Sequence, residues 1–258
     1  MLATARFTVA DLPATRTMAI NYHPVAAPDR MRSHFGVAPP VGDMAARSLP
    51  RYLAPFILRA PDGIRLERET PRCGCEPSSC RCKTLTLGRR AQDAPADIAG
   101  ELAFFRGAWR RGQRCIVPTE AIYELDYQTG RPVRWRIARR DCAPMGIAGL
   151  WCWWTDSRTG EEVPSFTMLT VNADTHPLMR QFGKPWQEKR MVVILDEADH
   201  DAWLTCRAEQ MMSFMQPYPS DQLMAEPWPK GRSGATPTWP GGITVLWDAE
   251  SLPASEEG

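Results

Sequence analysis

The sequence predicts an α+β domain carrying a mostly antiparallel sheet, and three observations lead there. Short β-rich runs follow one another: "CIVP", "AIYELDY", "VRWRIA", "MGIAGLWCWW", "SFTMLTV" and "MVVIL". Turn chemistry such as "DYQTGRP" joins neighbouring runs. Short helices are interspersed among them, and many short strands with scattered helices indicate this class.

The elements follow in chain order. Residues 28–36, "PDRMRSHFG", form the first helix: Pro28 and Asp29 suit its opening turn, Met31 and Phe35 share a face, and Gly36 suits the stop. Residues 104–112 repeat the pattern, with Phe105 and Trp109 four apart and Gly112 at the end. In "VRWRIA" the arginines alternate with Trp135 and Ile137, the signature of a half-buried strand. A buried strand from Met191 to Leu195 is fed by a polar loop holding Gly183, Lys184, Pro185 and Trp186. Loops that deliver the chain to a rigid strand are favoured places for reacting groups. Asp196 suits the cap of a helix through Trp203 and Leu204. From Pro217 onward the chain is rich in Pro, Trp, Gly and Ser and is expected to be a loosely ordered tail.

Composition limits the function classes. An apolar content of 43% with 24% charged residues suits a globular protein. No apolar run reaches the ~20 residues of a membrane span. Arg6, Asp11 and Pro13 interrupt the N-terminal stretch, so it makes a poor signal peptide. The expectation is a cytoplasmic monomer with no membrane partner. A formal net charge of +1 gives no global case for nucleic acid. Basic residues do concentrate locally, at Arg106–Arg114 and Arg134–Arg140. From charge alone these are solvated faces or phosphate contacts.

In a cytoplasmic chain the 8 cysteines are thiols or metal ligands rather than disulfides. Cys73, Cys75, Cys80 and Cys82, within "RCGCEPSSCRC", can hold a structural zinc as four thiolates, or are plain thiols in a divergent loop. No other cofactor is called for. Cys115, Cys142, Cys152 and Cys206 are expected to be buried small hydrophobes. Glu124, in "AIYELDY", either faces solvent or is buried, and burial would raise its pKa into the range of a general acid or base. His176 is expected to pack or cap a turn, and His200 to face solvent from its helix.

Four stretches then gather into a pattern: "MAINYHPVAAPDRMRSHFGV", "FFRGAWRRGQRCIVPTEAIYE", "RWRIARRDCAPMGIAGLW" and "SFTMLTVNADTHPLMRQF…KPWQEKRMVVILDEADHDAWL". Together they resemble the SOS-response-associated-peptidase (SRAP) family over most of residues 18–206. The resemblance implies an SRAP-type fold with a barrel-like core spanning residues 18–216. An extension, 1–17, would precede it, with Met18 as an alternative start, and a Pro/Trp-rich tail, 217–258, would follow. It implies action on abasic sites in single-stranded DNA, in which the amine and thiol of an N-terminal cysteine close a thiazolidine ring on the sugar aldehyde. A glutamate, a histidine and an asparagine surround that cysteine, and the peptidase label refers to self-processing.

Carried over residue by residue, the roles survive unevenly. The family's Met-Cys opening corresponds to Met18-Ala19, so the thiol is absent. The glutamate matches Glu124. The histidine position is Gly183. Counting back from "FFRGAW" puts Asp93 at the asparagine position and Pro95 at the arginine after it, whereas aligning on "LGRR" would choose Gly88. Residues 72–104 depart from the family while the pattern resumes at normal spacing. Paired frameshifts and a new metal-binding loop would each leave that trace. The resemblance assigns DNA contacts to Asn21, Arg134, Arg136, Thr170, Lys184 and Arg190, with Trp135 and Trp186 available for stacking. The implied function is abasic-site processing with impaired crosslinking, and the alternative is a non-catalytic single-strand binder.

Overall fold

The computed structural model describes residues 21–25, 27–37, 55–59, 93–102, 105–155 and 162–228. Its spine is β4, Arg114–Asp126, a 13-residue strand of nearly continuous burial. Residues 114–119 pair with β6 (Met145–Thr155), and residues 122–126 pair with β5 (Val133–Arg139). The short strands β1 (Asn21–Pro24) and β2 (Ile57–Leu58) also pair with β4. Outward from there come β7 (Glu162–Asn172) on β6 and β3 (Asp93–Pro95) on β7. Strands β8 (Arg190–Val192) and β9 (Ile194–Leu195) pair with β7 and β6.

All these pairings are antiparallel except β3 with β7. With β10 (Leu223–Pro227) at one end, the order β10-β5-β4-β6-β7-β3 does not return on itself, so among the described residues the sheet is open rather than a closed barrel. The expected class, α+β with a mostly antiparallel sheet, is the one observed. The tail boundary at 217 is not. Tyr218 is buried, and Leu223–Pro227 forms the edge strand β10 on β5. The Pro-rich spacing hid a strand whose pattern is carried by the single buried Leu223. An edge place also tolerates Pro227, which has no N–H to donate. Residues 1–17 and 229–258 lie outside the described residues.

Helix α1, Pro28–Phe35, has Met31 and Phe35 buried and stops at Gly36, whose φ of 65° lets its N–H return to Arg32 O. Helix α2 is shorter than expected, Arg106–Arg110. Helix α3, His200–Thr205, buries Trp203 and Leu204, and the Trp203 indole N–H donates to Cys115 O at 2.9 Å, anchoring α3 on β4. The turn before it, Glu197–Asp199, begins after Asp196, but the Asp196 side chain makes no capping bond. The backbone carbonyl of Asp196 accepts from Asp199 instead. No helix among the described residues is long and apolar enough to cross a membrane.

One irregularity shapes the site. His23 pairs with Ala121 but Pro24 pairs with Thr119, so Glu120 is an extra residue on β4. Its carboxylate accepts a two-pronged contact from Arg30 at 2.7 and 2.8 Å, which pins α1 to the bulge.

Candidate active site

Glu124 on β4 stands directly opposite Trp135 on β5, so the two side chains share one face of the strand pair. Alternation puts Tyr123 and Leu125, with Arg134 and Arg136, on the other face, and Asn21 joins them opposite Tyr123. Three of the expected DNA contacts, Asn21, Arg134 and Arg136, thus lie on the face away from Glu124. On the arginine face, the Arg134 guanidinium lies 3.8 Å above the Tyr123 ring. Arg136 is buried and pairs with Glu226 of β10 at 3.4 Å.

The Glu124 face brings together groups that are far apart in the chain. Asp93, the first residue of β3, is almost fully buried and acts electrostatically on Glu124. Glu124 itself is half-buried. Burial around its carboxyl, then the charge of Asp93, push its pKa up to about 8, against the Leu125 amide and the Lys189 ammonium, which favour the charged form. The residue reached by counting back from "FFRGAW" is therefore within electrostatic reach of Glu124.

The polar loop closes on the same place. Gly183 has a φ of 74°, a left-handed conformation that suits glycine, and its N–H donates to Leu125 O at 2.7 Å. A Cβ built there would meet only the Lys189 ammonium, at 3.7 Å. That ammonium donates to Lys184 O at 2.6 Å. The backbone of Lys189 is fixed on both sides, its N–H by Asp174 at 2.8 Å and its carbonyl by Ala173 N–H at 2.7 Å. Phe182 packs against Trp135, ring centroids 5.9 Å apart.

Lys184 lies on this loop with its ammonium 5.5 Å from the ring of Trp186, which is 78% exposed. Arg190 and Thr170 meet each other between β7 and β8. The Arg190 guanidinium is buried and donates to the Thr170 hydroxyl and carbonyl, to Glu188, and to Asp97 just beyond β3. Ala19 and the cysteines at 73, 75, 80 and 82 lie outside the described residues. Among the described residues no group of three or more His, Cys, Asp or Glu is placed to hold a metal.

Several secondary expectations change. Of the other four cysteines only Cys115 is buried, and Cys142 is exposed in a turn at φ 61°. His200 is half-buried and stacks on Phe35 at 5.5 Å, because α3 folds back over α1. His176 does cap a turn: its Nδ1 accepts from Met179 N–H at 2.9 Å, so Nε2 carries the proton and donates to Tyr218 O at 2.8 Å. Sequence reasoning assigned no role to Lys189, although "KPWQEKR" contains it. Only the fold-back of residues 183–189 shows that its ammonium occupies the space beside Gly183.

Two carboxyls in one enclosed site, one of them titrating near neutrality, form a group able to hold or pass a proton at physiological pH. Comparison with solved structures gives the setting. A crystal structure of a protein from Bordetella bronchiseptica is 38% identical, matches 82% of this chain and 99% of that one, and has a TM-score of 0.74. A protein from Bacteroides thetaiotaomicron, 21% identical over 80% of this chain and 91% of that one, has a TM-score of 0.60 and shares the fold. So does a phage-related protein from B. bronchiseptica, 16% identical over 82% and 94%, at a TM-score of 0.57. A search of curated proteins finds no match. The profile of the SOS response associated peptidase family, a family associated with abasic sites and DNA damage, matches residues 5–230, and the chain belongs to the SRAP family.

Proposed function

We propose that this SRAP protein binds single-stranded DNA at abasic sites and does not form the stable thiazolidine crosslink implied for its relatives. The observation that carries the reading is the meeting of Glu124 and Asp93 with a loop fastened to Leu125. The proton-handling part of the site is assembled while Ala19 and Gly183 leave the thiol and imidazole positions empty of reacting groups. On this reading Lys184 and the exposed Trp186 supply a phosphate contact and a stacking ring. Arg134 and Asn21 supply a contact surface on the opposite face. Arg136 and Arg190 are held in internal ion pairs, so their contribution to DNA binding is to position strands.

The vacated thiol position also favours a second reading, a binder without catalysis. A single experiment separates the two. Binding is measured by fluorescence anisotropy on abasic and intact single strands, and adducts are read on a denaturing gel. Preference for the abasic strand, with no heat-stable shifted band, is the expected result. A heat-stable band from the wild-type chain would contradict the proposal. Binding unchanged in Glu124→Ala, with no strand cleavage by the wild-type chain on the same gel, would favour the pure binder.

A further inference from the structure

The ammonium of Lys189 borders the space that Gly183 leaves open and acts electrostatically on Glu124. It is half-buried, held at 2.6 Å by Lys184 O, and its backbone is pinned at both N–H and carbonyl. A fixed, partly enclosed amine beside a carboxyl pair is the arrangement that imine chemistry with an aldehyde requires. The chain has four lysines, Lys83, Lys184, Lys189 and Lys230. Of the two on this loop, Lys184 extends toward the exposed Trp186 ring, whereas the Lys189 ammonium acts electrostatically on Glu124.

We propose that Lys189 captures the ring-opened aldehyde of an abasic site as an imine, giving the site a nucleophile in place of the absent thiol. The inference rests on the reading that this chain meets abasic DNA.

The steps balance without an added oxidant or reductant. The Lys189 ammonium gives a proton to solvent and the freed Nζ lone pair attacks C1′ of the aldehyde; the carbonyl electrons move to oxygen, and that oxygen takes up the proton released from nitrogen. The Glu124 carboxyl then protonates the hydroxyl, which departs as water as the C1′=N bond forms. The resulting carboxylate removes a C2′ proton, and the C3′–O3′ bond breaks. The 3′ strand leaves on its phosphate, and water hydrolyses the imine to restore the lysine. Asp93, the neighbouring charge, keeps the Glu124 proton available near neutrality. Without the thiol no ring closes, so the adduct stays reversible.

The test traps the imine with borohydride on abasic single-stranded DNA, using the full 258-residue chain, and maps the adduct by peptide mass spectrometry. The parallel arm measures binding to a strand carrying tetrahydrofuran, an abasic analogue with no aldehyde. The expected result is one reduced adduct, on Lys189. Lys189→Arg keeps a cation and a donor for Lys184 O; it should cut trapping by about ten-fold or more while tetrahydrofuran-strand binding stays within about two-fold. A wild-type adduct mapped to Lys83, Lys184, Lys230 or a terminal amine would overturn the proposal. So would full trapping by Lys189→Arg, or binding of the analogue strand with no trapping at all. No preference for the analogue strand would instead overturn the abasic-DNA reading on which the proposal stands.

Discussion

The backbone N–H of Gly183 donates to the carbonyl of Leu125 at 2.7 Å, so the loop without a reacting side chain is fastened to the residue next to Glu124. Gly183→His would keep that bond, and its Cβ would make ordinary contact with the Lys189 ammonium. The left-handed φ of 74° is what resists it, costing about 1–2 kcal/mol. A melting temperature lower by about 2–8 °C is expected. In a chain beginning at Met18 and carrying Ala19→Cys, the added imidazole should raise the yield of heat-stable adduct on abasic DNA. Equal yields with and without Gly183→His, on a denaturing gel, would show that position 183 does not reach the reacting centre.

Glu124 links the site to stability. Its ordinary pKa of 4.5 is pushed up to about 8 by burial and then by Asp93. Between those values the folded chain keeps a proton that the unfolded chain has released. Stability therefore falls as pH rises through that window and levels off above it. Glu124→Gln removes the charge that the fold resists. After discounting for the solvent-facing edge of the residue, the gain at pH 8–9 is about 1–3 kcal/mol, or about 2–10 °C, with little change near pH 4. Thermal melts across pH would reject this if the wild type and the variant ran parallel.

Those two residues also show what was legible before the fold. Local chemistry was: Gly36 stops α1, β4 to β9 follow the apolar runs, and His176 caps its turn. Each depends on neighbours within a few residues. Long-range placement was not. Whether Glu124 faced solvent or an enclosed site depended on Asp93, about thirty residues earlier on a strand parallel to β7, and no spacing rule links them. Lys189 was visible as a residue but not as the neighbour of Gly183, because that contact needs the loop to turn back on itself. The strand β10 was masked by prolines whose acceptability depends on lying at a sheet edge.

The four cysteines between Cys73 and Cys82 give a separate expectation. Four thiolates closing a tetrahedral site would hold about one zinc per chain, and a chelator would lower the melting temperature, because metal affinity released on unfolding is folding free energy. Elemental analysis of protein purified under reducing conditions checks it. Metal-free protein that melts identically with and without chelator would leave these cysteines as thiols of a divergent segment.

His200 acts on stability in the opposite direction from Glu124. Burial, then the neighbouring His34, lower its pKa from 6.5 to about 4, against Glu197 and Asp201, with Arg139 adding to the lowering. Its ring stacks on Phe35 at 5.5 Å, and its Nε2 lies where a Cβ on Gly146 would stand, leaving no room for a hydrated imidazolium. Below pH 6.5 the unfolded chain binds a proton that the folded chain refuses until about pH 4, so stability is lost as pH falls through that window. His34 and His23, also lowered chiefly by burial, slope the same way. The histidine contributions rise up to about pH 6.5 while the Glu124 contribution falls from about 4.5 to 8, so these groups together place the stability maximum near pH 6.5, where the histidine gain is complete and the Glu124 loss is not. His200→Gln should flatten the acid side alone, reducing the loss of melting temperature from pH 6.5 to 4.5 by about 2–6 °C. Glu124→Gln should remove the fall above pH 6.5 and steepen the rise below it, because its window of about 4.5 to 8 overlaps that of the histidines. The two groups share no partner, so the double variant should show the sum of both changes within about 0.5 kcal/mol. A double variant whose pH curve departs from that sum would show that the α1–α3 contact and the Glu124 site are coupled through β4.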